Sequence, residues 1–192
     1  MKKILLIIIL NFLLFDLLYG DTEVPIVNQI QILQKILSVE KKISASTSKE
    51  IMIGVIFQAD NKGSNETKKE IVNFVQNKVL KVGTKTLKFV LINISASNSD
   101  NIISTITSAS NKLDVLIITQ LRNVNYNNIR LFAVDNNILT YSTNSNIMEN
   151  YKFSLSVGYK SNNVQPFVNS KQVNSEGFSL PSSFLEYARI IK

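Results

Sequence analysis

Four short polar stretches hold most of the side chains in this sequence that could do chemistry. They are residues 58–65 (QADNKGSN), 94–100 (ISASNSD), 120–125 (QLRNVN) and 140–146 (TYSTNSN). Their hydroxyl and amide groups could hydrogen-bond a small polar ligand or an anion, with Gln58, Ser64, Gln120, Arg122, Ser142 and Asn144 as the candidate ligand residues. The same residue types cap helices and close turns, and that plainer account is preferred. Residues 63–69 (GSNETKK) contain one glycine and lack the Gly-rich run and Lys-Ser/Thr ending of a phosphate-cradling loop. Asp60, Asp100, Asp114 and Asp135 sit on separate stretches, so they read as solvated carboxylates and not as an acid–base pair. The chain has no histidine and no cysteine, which removes the usual zinc, copper and haem ligands and both the Ser-His-Asp and Cys-His arrangements. No catalytic residue, metal or cofactor is expected, and the chain reads as a non-enzyme.

The elements that must position these stretches follow from hydrophobic spacing. Residues 1–20 (MKKILLIIILNFLLFDLLYG) read as a signal peptide, with Lys2 and Lys3 ahead of an apolar run and Gly20 before a polar junction. Asp16 interrupts that run, leaving it short of the roughly 20 residues a spanning helix needs. Residues 21–192 are then a single exported domain that spans no membrane once the signal is removed. Its formal charge of +7 falls to +6 without Lys2, Lys3 and Asp16. The lysines are scattered and not interleaved with aromatics, so nucleic acid is not an expected partner.

The next stretch, PIVNQIQILQKILSV, places Ile26, Ile30, Leu33, Ile36 and Leu37 at helical spacing. Apolar strand runs then alternate with amphipathic helices: EIMIGVIFQ, TKKEIVNFVQNKVLK, LKFVLINIS, SDNIISTITSASNKL, DVLIITQL, NYNNIRLFAVDNN and ILTYST. This rhythm predicts an α/β fold with a mostly parallel sheet built from repeated strand–helix units. From residue 151 it changes: Tyr151, Phe153, Leu155 and Val157 alternate, and Val164, Phe167 and Val168 follow a polar turn. That predicts an antiparallel C-terminal hairpin with one wet face. A closing C-terminal helix should pack Phe184, Leu185, Ala188 and Ile191 inward, with Pro181 in its first turn and Ser183 and Glu186 at capping-box spacing.

The C-terminal third resembles the YfiR family of bacterial periplasmic proteins. The resemblance is carried by NILTYST, by the hairpin with Val168–Asn169, and by EGFSLPSSFLEYARI, where Gly177, Phe178, Leu180, Ser182, Ser183, Leu185 and Ala188 fill the family's pattern. Upstream, Ile53, Gly54 and Val55 are similar to the family's first strand. The resemblance implies a periplasmic α/β protein, often dimeric, that restrains an inner-membrane signalling protein by contacting its periplasmic sensor or cyclase domain. A diguanylate cyclase, and hence cyclic-di-GMP, is the implied target. The alternative is a periplasmic small-solute-binding protein, since the repeated units with polar strand-end loops resemble one lobe of such proteins. A third reading is a dimeric interaction module whose first-helix face, through Ile30, Leu33 and Leu37, forms the partner or homodimer contact.

Overall fold

The computed structural model describes residues 23–94, 101–110 and 112–192. The signal-like segment and most of the 94–100 stretch, including Asp100, lie outside the described residues. The chain opens with helix α1 (Ile26–Val39) and a short α2 (Lys41–Ala45). Strand β1 (Glu50–Phe57), helix α3 (Lys62–Val75), a two-residue β2 (Lys81–Val82) and β3 (Lys85–Asn93) follow. Then come α4 (Ile102–Ala109), β4 (Val115–Ile118), α5 (Tyr126–Asp135) and β5 (Leu139–Ser142). The last part comprises α6 (Ser145–Tyr151), β6 (Leu155–Lys160), β7 (Asn163–Val168), α7 (Ser170–Ser175), α8 (Ser182–Leu185) and β8 (Arg189–Ile190).

All eight strands form one sheet in the order β2-β3-β1-β4-β5-β6-β7-β8. The five from β3 to β6 are mutually parallel, whereas β2 pairs antiparallel with β3 and β7 antiparallel with β6. This is the expected α/β class. Its driving force is visible in the strands themselves. Residues of β4 are buried on both faces (Val115 and Ile117 toward one layer, Leu116 and Ile118 toward the other), so water is excluded from both sides. On the first face the sheet is covered by α1 and α3, through Ile30, Leu33, Ile36, Leu37, Ile71 and Phe74. On the second it is covered by α4, α5 and α6, through Ile102, Ile106, Ile129 and Met148.

Three expectations are corrected. Ile30, Leu33 and Leu37 are at most 1% exposed, because the apolar face of α1 is consumed by the chain's own sheet and offers nothing to a partner. The hairpin has no wet face along its first half, since Ser154, Leu155, Ser156, Val157 and Gly158 are all buried. The closing helix is a single turn, α8, with no residue fully buried. Its hydrogen bonds shorten to the i→i−3 type at Tyr187 and Ala188, which ends the turn. The freed chain is captured by the sheet: Arg189–Ile190 pairs parallel with β7, and the Ile191 N–H donates to the Val168 carbonyl at 2.8 Å. The turn is preceded by Pro181 and carries no side-chain cap, so the Ser183–Glu186 spacing is not used. Glu40, Gln172 and Glu176 were not singled out in the sequence, yet all are buried.

Gly158 shows how closely the hairpin is packed. A Cβ there would lie 2.7 Å from the ring of Phe167, which is itself 2% exposed and cannot swing away. Gly158→Ala is expected to cost about 1–3 kcal/mol through this overpacking. Urea unfolding of the variant measures it, and a loss below that range would mean the ring has room to move.

Candidate functional site

In the parallel set β3-β1-β4-β5-β6 the strand order reverses at β1. The chain leaving β1 enters α3 on one face, and the chain leaving β4 enters α5 on the other. The carboxyl ends of β1 and β4 therefore bound a crevice, the place where open α/β sheets bind ligands. Gln58, Ser64, Gln120 and Arg122 converge here, and Ser142 and Asn144 lie at the end of the next strand, β5.

The geometry of this cluster is specific. The Gln58 N–H donates to Ser64 Oγ at 2.8 Å, and Ser64 Oγ lies 2.5 Å from Thr119 Oγ1. Thr119 in turn donates to the Ile56 carbonyl at 2.9 Å. The Gln58 amide makes a two-way clasp with Arg122, donating to its carbonyl at 2.9 Å and accepting from its N–H at 2.7 Å. Asn61 donates to the Gln120 carbonyl at 2.8 Å. Gln58 and Ser64 are thus buried and engaged in holding the two loops together, leaving the exposed Gln120 and Arg122 side chains at the rim. Ser142 is likewise buried, its hydroxyl donating to the Asn144 carbonyl at 2.8 Å. Thr119 and Asn61 complete the network and were not singled out in the sequence. Their partners lie more than fifty residues away in the chain, which no local pattern shows.

Beside this network, at the ends of β5 and β6, is an open cleft of about 240 Å³. Glu23, Asn144, Asn146, Glu149, Tyr159 and Arg189 line it. Asn144 begins α6 by accepting from the Ile147 N–H at 3.0 Å, and its amide donates to Glu23 at 2.5 Å. Arg189 Nη2 lies 3.3 Å from Glu149 Oε1, with the guanidinium 4.7 Å from the centre of the Phe167 ring. Both partners of that ion pair are more than a third exposed or nearly so, and such pairs are weak. Arg189 retains further N–H donors for another acceptor. Glu149 and Arg189 were missed because Glu149 falls on a helix, in a stretch between residues 146 and 151 that was assigned no element from sequence, and Arg189 on a strand read as a helix.

The wall of the cleft is fixed from beneath by Gln29. Its amide donates to the carbonyls of Val24 at 2.7 Å and Thr143 at 3.1 Å, and accepts from the Tyr141 hydroxyl at 2.9 Å. Burial holds the Tyr141 phenol well above its usual pKa, so it remains a donor at any physiological pH. Among the described residues no group of His, Cys, Asp or Glu could hold a metal ion. No described helix is long and apolar enough to cross a membrane.

No family model matches the sequence, and no curated protein is similar to it. Solved structures are similar in fold. One is an ABC domain from Streptococcus pneumoniae in complex with L-Trp, with a TM-score of 0.60 and 12% identity, covering 88% of this chain and 60% of that one. A conserved domain protein from Vibrio cholerae gives 0.59 and 15%, covering 88% and 60%. A ligand-free, open substrate-binding protein with adhesive properties from Clostridium difficile gives 0.60 and 16%, covering 90% and 61%. This chain spans about three fifths of the length of these neighbours.

Proposed function

We propose that this protein is a non-enzymatic, exported binding protein for a small polar solute, an amino-acid-sized zwitterion, held at the carboxyl edge of the sheet. The observation that carries the reading is the cleft that sets one guanidinium, Arg189, against two carboxylates, Glu23 and Glu149, around about 240 Å³. That is below the usual range for drug-sized ligands and suits a molecule the size of an amino acid. A ligand carboxylate would take the free donors of Arg189, and a ligand ammonium would sit between Glu23 and Glu149. The fold shared with a substrate-binding protein and with an L-Trp complex supports the same reading.

A thermal-shift screen of the free amino acids tests it. At a concentration about 100 times Kd, one zwitterion should raise the melting midpoint by roughly 5–10 °C. Arg189→Gln should abolish the shift. No shift with any amino acid, together with no small molecule in the native mass spectrum of the purified protein, would overturn the proposal.

A second reading rests on the resemblance to the YfiR family: a periplasmic regulator that contacts a membrane signalling protein. Tyr187 and Ile190, 76% and 46% exposed beside β8, are the side chains that would meet such a partner. A rise in cellular cyclic-di-GMP on deletion, reversed by re-expression but not by a Tyr187→Ala chain, is its expected result.

A further inference from the structure

A cleft that the solute-binding reading does not use lies at the amino end of β6. Lys152 ends α6 two residues short of β6, and Asn169 immediately follows its antiparallel neighbour β7, so both stand at that edge of the sheet. The cleft measures about 360 Å³, and the charged side chains that line it are all cationic: Arg130, Lys152, Lys171 and Lys192. The rest of the lining is amide, hydroxyl and phenol, and no Asp or Glu side chain takes part.

Two details make this more than a scatter of surface lysines. Gln172, 5% exposed, turns its amide oxygen to Arg130 Nη1 at 3.4 Å while donating to Glu176 at 3.0 Å, so the guanidinium is positioned from below. Glu176, which Gln172 also contacts, is buried with its carboxylate engaged by Thr140, Ser154 and Gln172, and it does not line the cleft. Lys152 is held at φ 59°, ψ 40°, the left-handed position that ends α6. Glycine or asparagine is the usual residue there. A lysine kept at a backbone position that disfavours it points from conformation to use. Its Nζ donates to a main-chain oxygen of Lys192, the final residue of the sequence, at 3.2 Å.

We propose that this cleft is a second binding site, for a small anion of the phosphate class carrying at least two negative charges, seated between Arg130, Lys152 and Lys171. Three cations around one opening match a phosphate ester or pyrophosphate better than a single carboxylate, because each oxygen can take a charge-assisted hydrogen bond. This site is separate from the zwitterion cleft and stands or falls without it.

Calorimetric titration of the full chain with sodium pyrophosphate, against sodium acetate at equal ionic strength, tests the proposal. Saturable one-to-one binding of pyrophosphate is expected, with acetate giving none. Arg130→Gln and Lys171→Gln should each weaken it by about tenfold. Lys152→Gly is the decisive variant, since it should weaken binding by a similar factor while leaving the melting midpoint unchanged or higher. Sedimentation with phosphatidylglycerol vesicles separates a lipid headgroup from a free phosphate ester as the source of the anion; vesicle binding lost in Lys152→Gly would support the site. Absence of saturable pyrophosphate binding, or an affinity within twofold of the parent in both Lys152→Gly and Arg130→Gln, would overturn it.

Discussion

Replacing Leu33 with alanine is expected to destabilise the protein by about 2–5 kcal/mol, without altering its elution volume in size exclusion. Leu33 is 1% exposed at the centre of the α1 face, packed with Ile30, Ile36 and Leu37 against the sheet. Truncating it removes buried methyl groups and leaves a cavity that neighbours on a β-sheet cannot readily fill. Were the same face an intermolecular contact, truncation would shift the elution volume and leave the monomer's unfolding free energy nearly intact. Val27, on the same helix but 40% exposed, is the control: Val27→Ala should stay within about 0.5 kcal/mol of the parent. Urea unfolding followed by circular dichroism, run beside size exclusion, reads both quantities.

Glu176 should give an effect of similar size by a different route. Its carboxylate is fully buried and accepts four hydrogen bonds. They come from the Thr140 N–H at 2.9 Å, the Thr140 hydroxyl at 2.7 Å, Ser154 Oγ at 2.5 Å and Gln172 Nε2 at 3.0 Å. Glu176→Ala strands these donors in the interior at about 1–3 kcal/mol each before relaxation, so a loss on the order of 3–5 kcal/mol is expected.

The four donors favour the charged form, yet burial outweighs them and the pKa is raised from 4.5. Between 4.5 and that raised value the folded chain holds a proton that the unfolded chain has released. Stability from this group is therefore fully present below about pH 4.5 and is lost as pH rises through the folded-state pKa. Glu176→Gln resembles the protonated acid, since its amide can donate to Ser154 Oγ and accept from the remaining donors. Its stability should show no such decline over the same window. Denaturant unfolding of parent and Glu176→Gln across the acid range measures the difference, and parallel pH profiles would exclude a raised pKa at Glu176.

The legible part of this fold was the part written in local periodicity. Ile26, Ile30, Leu33 and Leu37 repeat at helical spacing and form α1, and the unbroken apolar run from Ile51 to Phe57 forms β1. What α1 packs against was not legible, because an amphipathic face looks the same whether its partner is the chain's own sheet or another molecule. The C-terminal turn failed differently. Phe184, Leu185, Ala188 and Ile191 satisfy helical spacing, but the open edge of β7 offered Arg189–Ile190 a sheet ladder, and β-branched Ile190 suits one. At the site, the edge could be foreseen from where polar stretches follow strand runs. Which side chains face solvent could not: Gln58 is sealed by Arg122, sixty-four residues on, and Ser64 by Thr119. Glu176 was hidden for the same reason, its donors coming from β5, the bend ahead of β6 and α7.

Both margins of the sheet end in two-residue strands, β2 at one side and β8 at the other, and each carries a cation, Lys81 and Arg189. An open sheet normally exposes a row of unpaired backbone groups on which a foreign chain can crystallise as one more strand. Here those two short strands cover only the first residues of β3 and the last two of β7. Most of the outer row of β3, from Lys88 to Asn93, therefore has no neighbouring strand among the described residues and carries Lys88 as its charge. The segments best able to seed a fibril, the EIMIGVIF of β1 and the VLII of β4, lie at the middle of the sheet with a neighbour on each side. Those two segments are therefore open to a foreign chain only before the sheet closes, whereas the outer row of β3 stays open after it.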